Sequence, residues 1–350
     1  MKAQPALTAF PMHGQYKLST EGYRTRDGHL IEWFGKLSGD TGHVQVVSRP
    51  EPIWLWPLRR VRGKGTAKNT KPLVTWSASI PNVRDKRQWW VRSLTDYPAL
   101  PQDVAMRSVV WNPFAFVSSS GPSLTAKENS VVFDLLDDWT IHYAFDSIKK
   151  EVEEAYRAGF EAARYVTANS EATAELARSF GRHDVKLITN GCDPEIFSQT
   201  SKAEGSLTVG YVGKIGKRVD LELVQRVTSS LPEVRFVLAG PILDREYEKP
   251  LKSISNLTLL GDIQYRDVPT LLQSFDIGWV PHRVGEGEVG GDVIKTYEYR
   301  AAGLPVLTTP VLGASDRGLD NVHSAKLDGH IEFIQSLACR SNRVPRVPTV

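Results

Sequence analysis

The sequence predicts an α/β protein of two doubly wound domains, each a parallel sheet with crossover helices. Short β-branched segments alternate with stretches whose apolar residues recur every three or four positions, the succession of strand and amphipathic helix. One polar, aperiodic stretch, "PEIFSQTSKAEGS" (194–206), divides the elements into two sets. With 350 residues there is chain enough for two sizeable cores. We place the domains at 1–195 and 196–350, with the ligand cleft between them at the carboxyl ends of both sheets.

The first set of predicted strands is "ALTAF" (6–10), "HVQVVS" (43–48), "PLVTWSA" (72–78), "SVVWN" (108–112), "SVVFDLL" (130–136), "YVTAN" (165–169) and "VKLIT" (185–189). The second is "LTVGYVG" (207–213), "VRFVLAG" (234–240), "LTLLG" (257–261), "DIGWVP" (276–281) and "PVLTT" (305–309). Between them, "DSIKKEVEEAYRAGFEAA" (146–163), "SEATAELARSFG" (170–181) and "VDLELVQRVTSSLP" (219–232) have helical periodicity.

Composition narrows the function classes. Hydrophobic residues make up 41% and charged residues 24%, which is ordinary globular usage. No run of 18 apolar residues occurs, and the opening "MKAQPALTAFPMHGQYK" lacks the apolar core and cleavage site of a secretory signal, so a cytoplasmic protein is expected. Cys192 and Cys339 form neither a disulfide framework nor a zinc motif. Net charge is only +3, but residues 1–125 carry 17 Lys and Arg against 8 Asp and Glu, a net of +9, and the remainder carries 26 against 32. The excess peaks in "WLWPLRRVRGKGTAKNTK" (54–71) and "RDKRQWWVR" (84–92), where Trp54, Trp56, Trp89 and Trp90 interleave with cations. Such a face suits an anionic partner: an acidic membrane surface, a pyrophosphate-linked lipid or nucleic acid. The alternative is a solvated loop beside core tryptophans.

Two turns carry chemistry. "LTVGYVGKIGKRVDLELV" (207–224) leaves a strand through Gly210, Gly213 and Gly216 into a helix, with Lys214, Lys217 and Arg218 at the turn. Glycines let backbone N–H groups approach an anion, a helix N-terminus adds partial positive charge, and the cations neutralise phosphate. No Gly-Lys-Ser/Thr follows, which argues against ATP hydrolysis of the Walker type. "KTYEYRAAGLPVLTT" (295–309) places Lys295 and Glu298 on a helix before a strand, where a plain amphipathic helix needs neither.

On these residues the chain resembles the GT-B glycosyltransferases of the large retaining group called family 4. "LITNGCDPEIF" (187–197) is similar to the Pro-Asn-Gly-Val-Asp…Phe segment of that family, with Thr189 in place of proline. "VGYVGKIGKRVD" (209–220) resembles its phosphate-binding turn, "FDIGWVPHR" (275–283) its Asp-(hydrophobic)-Pro strand, and "KTYEYRAAGLPVL" (295–307) its donor helix and following strand. "VVFDLLDDW" (131–139) resembles the Asp-rich strand end of a subgroup that builds bacterial surface polysaccharides. The match spans about residues 130–310.

The resemblance implies an enzyme that moves a sugar from a nucleoside-diphosphate sugar to a hydroxyl acceptor with retention. It further implies that no cofactor or metal is required. Gly213, Lys214, His282, Val293, Ile294 and Lys295 would meet the donor, Glu298 would accept from the ribose hydroxyls, and Lys217 and Arg218 would face the leaving diphosphate. The other reading of Glu298 is a plain salt bridge with Lys295 or Arg300. Two departures stand out. The family's second glutamate falls at Gly290, with Glu286, Glu288 and Asp292 nearby; its strand-end histidine falls at Leu136, leaving Asp137, Asp138 or His142 as replacements. Adjacent aspartates after a strand are also ordinary helix caps. The expected acceptor is lipid-linked or a glycan, reached by peripheral attachment to an anionic membrane. A nucleic-acid glycosyltransferase is the first rival and a non-catalytic nucleotide-sugar binder the second. A GT-B epimerase or phosphorylase is the third.

Overall fold

The computed structural model describes residues 5–39, 42–59, 66–101, 105–285, 290–311, 318–339 and 346. It divides into two compact units, Met1–Thr189 with Val289–Gly291, and Asn190–Glu288 with Asp292–Val350.

The strands of the first unit are β1 (Leu7–Phe10), β2 (Val44–Val47), β3 (Glu51–Pro52), β4 (Thr70–Leu73), β5 (Trp76–Ser77), β6 (Arg107–Val110), β7 (Ser130–Leu135), β8 (Tyr165–Ala168) and β9 (Lys186–Leu187). Seven make one sheet in the order β4-β2-β1-β6-β7-β8-β9. Every pairing in it is parallel. Parallel strands are covered on both faces, and accordingly β1, β2 and β6 bury three of their four residues. The helix Lys149–Ala162 turns Val152, Ala155, Tyr156, Gly159 and Phe160 inward, the three-and-four spacing read from the sequence. Ser170 and Thr173 close a reciprocal capping box on the helix Glu171–Ser179.

Three expectations change. The segment 72–78 is two strands: β4 belongs to the main sheet, while β5 pairs with β3 in a separate two-stranded parallel sheet. Of 185–189 only β9 pairs. Trp89 and Trp90 are core, 7% and 6% exposed, and present no face to a partner. Trp90 packs among Phe114, Trp139 and Phe145, Arg49 lies 3.8 Å over its ring, and Trp89 donates to the Pro50 carbonyl. The aromatic area gained by burial outweighs the pull of neighbouring cations toward water. Arg60 and Arg62 lie outside the described residues.

The second unit contains β10 (Thr208–Val212), β11 (Arg235–Ala239), β12 (Leu257–Gly261), β13 (Ile277–Val280), β14 (Val306–Thr308) and β15 (Val322–Ser324). All pairings are parallel, in the order β12-β11-β10-β13-β14-β15. In both sheets the chain winds outward from the first strand, then reverses to the other side of it. In the second sheet that reversal falls between β10 and β13, the kind of switch point at whose carboxyl end open α/β sheets bind ligands.

Candidate functional site

The glycine turn leaves β10 at this switch point. Gly213 donates its backbone N–H to Ala239, and a Cβ on Gly240, whose φ is +150°, would stand 1.8 Å from the Gly213 carbonyl oxygen. Glycine is required at 240 because two backbones touch there, while a Cβ on Gly213 would press on the Lys295 and Tyr211 side chains. From the other side comes the helix Ile294–Ala301, seated by Tyr299, whose hydroxyl accepts from the Val212 N–H at 2.7 Å. The Lys295 stem passes beside Gly213, and its Nζ lies 5.3 Å from the centre of the Tyr211 ring. Tyr211 in turn donates to the Lys214 carbonyl at 2.9 Å and stands 3.5 Å from His282 Nε2. His282 follows β13 and forms an antiparallel bridge to Val219. Thus Gly213, Lys214, His282 and Lys295, far apart in sequence, share one corner.

The corner is electropositive. Loss of water, then the charges of Lys295 and Arg218, hold the His282 imidazole well below its usual pKa, so it is neutral at pH 7. Burial raises the Tyr211 phenol, with Arg218 pulling the other way. Arg218 adjoins this corner through the backbone: its carbonyl accepts from the Arg283 N–H at 2.8 Å, next to the bridge between Val219 and His282. Lys217 and Arg218 are both exposed; the Lys217 backbone N–H is taken by Asp244 at 2.9 Å.

The two helix starts differ. The helix Leu221–Ser230 is capped by Asp220, which accepts from the Leu223 N–H at 3.0 Å. Its dipole is met by a carboxylate, contrary to the expectation that it would face phosphate. The helix Ile294–Ala301 begins at Val293 with no side-chain cap and no acidic residue in its first turn.

Glu298 lies one turn beyond Lys295 and is 5% exposed. Burial, then the charges of Glu298 and Asp193, pushes the Cys192 thiol up to about 12, which sets Glu298 beside the "NGCD" segment. Asp292 is engaged in structure: its Oδ2 accepts from the Asn190 N–H at 2.8 Å and from Tyr297 at 2.9 Å, and its carbonyl accepts from Asn190 Nδ2. Glu286 and Glu288 lie outside the described residues.

In the first unit Asp137 and Asp138 follow β7. Asp138 accepts from the Thr140 N–H at 2.8 Å and from its hydroxyl at 2.6 Å, as a turn-capping aspartate does. The Asp137 carbonyl accepts from Tyr156, while its side chain lies against Gly291. His142 Nδ1 accepts from the Ala144 N–H, which caps a short turn. Gly290 occupies the family's glutamate position for a physical reason. Its φ is +72°, a Cβ there would lie 3.0 Å from Ala172, and its carbonyl accepts from the Ser170 hydroxyl.

Two buried clusters escaped the sequence reading. Asp134 Oδ1 and Oδ2 accept from Arg26, Trp111 and Thr167, and Arg26 also donates to the Thr189 carbonyl at 3.0 Å. Asp27 accepts from Thr25 and the His13 N–H, with His13 Nδ1 at 3.4 Å. Burial alone would raise the Asp27 pKa, but His13 and these hydrogen bonds outweigh it and hold the carboxylate well below its usual range. The one sequence signal was an aspartate inside the otherwise apolar "VVFDLL" strand.

Two Rossmann-like parallel-sheet domains in one chain define the GT-B fold. Residues 206–337, which span the second sheet, match the sequence model of the family described as Glycosyl transferases group 1. The chain is 23% identical over 228 residues to TuaH of Bacillus subtilis (strain 168), whose name assigns it to glycosyl transfer in teichuronic acid biosynthesis; the match covers 59% of this chain and 57% of that one. Among solved structures it is similar to Anabaena Alr3699/HepE in complex with UDP and glucose, at TM-score 0.66 and 14% identity over 99% of this chain and 93% of that one. It is also similar to sucrose-phosphate synthase from Thermosynechococcus elongatus, at TM-score 0.69 and 14% identity over 95% and 90%. These two likenesses are of fold.

Proposed function

We propose that the protein transfers a sugar from a nucleoside-diphosphate sugar to a hydroxyl of a glycan or lipid-linked acceptor, with retention, as the family 4 resemblance implies. One observation carries the reading: the uncapped start of the Ile294–Ala301 helix, Lys295, Arg218 and the Gly213 turn converge where a pyrophosphate needs them, and the buried Glu298 follows one turn on. Residues 196–350 hold the donor and residues 1–195 the acceptor.

The protein's part in such a reaction is electrostatic. As the bond from the anomeric carbon to the diphosphate lengthens, negative charge grows on the leaving oxygens. In this reading Lys295, Arg218 and the helix N–H groups meet it, and charge fixed by the fold lowers the reorganisation that the step costs. Neutral His282 donates or accepts a hydrogen bond without adding charge. Retention without a covalent enzyme intermediate has the acceptor hydroxyl attack from the side the diphosphate leaves, the leaving phosphate taking its proton.

The test begins with the donor. A thermal-shift panel of UDP-, GDP-, dTDP- and ADP-sugars should single out one base, because ligand at 100 times Kd stabilises the fold by about 2.7 kcal/mol. Release of nucleoside diphosphate from that donor, with and without polysaccharide acceptors, then follows. A panel without any shift defeats the reading; binding without release or transfer reduces the protein to a nucleotide-sugar binder.

A further inference from the structure

The basic segment of the first domain acquires a defined surface in the structure. Strands β3 and β5 run parallel, so the segments that follow them, 53–59 and 78–86, leave the small sheet at the same end. The first is a 3-10 turn running into the short helix Trp56–Arg59. It exposes Ile53 by 52%, Trp54 and Trp56 by 46% each, and Leu58 by 75%. The second exposes Ile80 by 75% and Val83 by 86%. Six large apolar side chains on two adjoining segments exceed the scatter of single exposed residues normal on a soluble surface.

These side chains are held out by ordered backbone. Arg92 donates to the Ile80 carbonyl at 3.0 Å, Asn82 accepts from the Arg84 and Asp85 N–H groups, and Asp85 accepts from the Arg87 N–H. Beneath them, buried Trp89 ties the helix Gln88–Arg92 to the Pro50 carbonyl. Arg59 pairs with Glu51 at 2.6 Å.

Charge identifies the occupant. The two segments with the adjoining Glu51 and Arg92 carry Arg59, Arg84, Lys86 and Arg92 against Glu51 and Asp85. Both carboxylates are engaged, one by Arg59 and one by the Arg87 N–H. Arg84, Lys86 and Arg92 are exposed alongside the apolar residues. Phosphates alone leave Ile53, Leu58, Ile80 and Val83 in water, and an apolar protein groove leaves the cations without anions. A bilayer with acidic headgroups meets both, with tryptophans at the boundary between headgroup and acyl chain. No described helix is long and apolar enough to cross a membrane, so the contact lies in the interface.

We propose that segments 53–59 and 78–86 together form an interfacial anchor that seats the first domain on anionic lipid. This locates the membrane contact of the acceptor reading above, and it is measured without donor or acceptor.

The test is co-sedimentation of the full chain with sucrose-loaded vesicles of phosphatidylcholine, with and without 30 mol% phosphatidylglycerol. The protein should sediment with the anionic vesicles and largely release in 0.5 M NaCl. Ile53→Ser, Leu58→Ser and Val83→Ser together should weaken partition at least tenfold. Arg84→Glu with Lys86→Glu should remove the preference for anionic over neutral vesicles, since each interfacial cation is worth roughly fivefold. All five positions are exposed or lie in loops and short turns, so melting temperature and nucleotide affinity should hold in both variants, which keeps this test separate from that of the donor site. Failure of the parent protein to bind either vesicle overturns the anchor, as does a triple variant that binds like the parent. Preferential capture by single-stranded DNA that vesicles cannot displace does so too, and so does parent self-association that the triple variant abolishes.

Discussion

Replacing Glu298 by Gln removes one negative charge with almost no change in shape. The side chain is 5% exposed, so its bonds to a ligand are poorly screened. If its carboxylate accepts from the two ribose hydroxyls, both hydrogen bonds are charge-assisted and their loss costs about 1.5–3 kcal/mol. That is roughly a 10- to 150-fold rise in Kd for the nucleoside diphosphate. Calorimetric titration with the nucleotide selected by the donor panel measures it. Cys192 supplies an internal control. Its thiol is pushed up to about 12 by burial and then by Glu298, so the Gln variant should show more thiolate at pH 9 and faster alkylation. Faster alkylation with unchanged nucleotide affinity would mean that Glu298 is ionised in place but does not bind ribose, and the donor-site argument would fail. Unchanged alkylation would remove the charge on which the magnitude rests.

Arg218→Ala combined with Lys217→Ala should lower turnover at saturating donor on the order of 100-fold while changing nucleotide affinity less, because these cations act as the leaving charge grows; equal losses in both would assign them to ground-state binding. Gly240→Ala forces a Cβ to 1.8 Å from the Gly213 carbonyl and should cost on the order of 3 kcal/mol in urea unfolding, with weaker nucleotide binding; a silent substitution would show that the turn is not constrained there. His330 accepts from Trp279 Nε1 at Nδ1 and reaches the Ala325 carbonyl through Nε2, and burial drops its pKa to about 4. The unfolded chain, with an ordinary histidine near 6.5, takes up the proton first, so the stability held above pH 6.5 drains as pH falls toward 4, by roughly 3 kcal/mol in all. Urea unfolding at pH 7.5 and 5 should show this slope and show it flattened in His330→Asn; parallel slopes refute the assignment.

Periodicity set out the two parallel sheets because a parallel strand is apolar along its length and an amphipathic helix repeats every 3.6 residues, both local properties. The helices Lys149–Ala162, Glu171–Ser179 and Leu221–Ser230 fall inside the stretches so read. β15 and β3 were not legible, nor was β5 as a strand separate from β4: two or three residues carry too little pattern, and their pairing depends on partners distant in sequence.

At the candidate site, residue types were legible and partnerships were not. Residue order alone shows a glycine turn rich in cations, a helix bearing Lys295 and Glu298, and a basic first third. Tertiary structure decided which members of each act together. It gave the Leu221–Ser230 helix start to Asp220 and left that of Ile294–Ala301 uncapped, a choice of hydrogen-bond partner that spacing does not encode. It also drew Trp89 and Trp90 into the core while Trp54 and Trp56 stayed at the surface. All four look alike in a charged sequence, and what separates them is whether the fold brings apolar area against each ring, which only long-range packing decides.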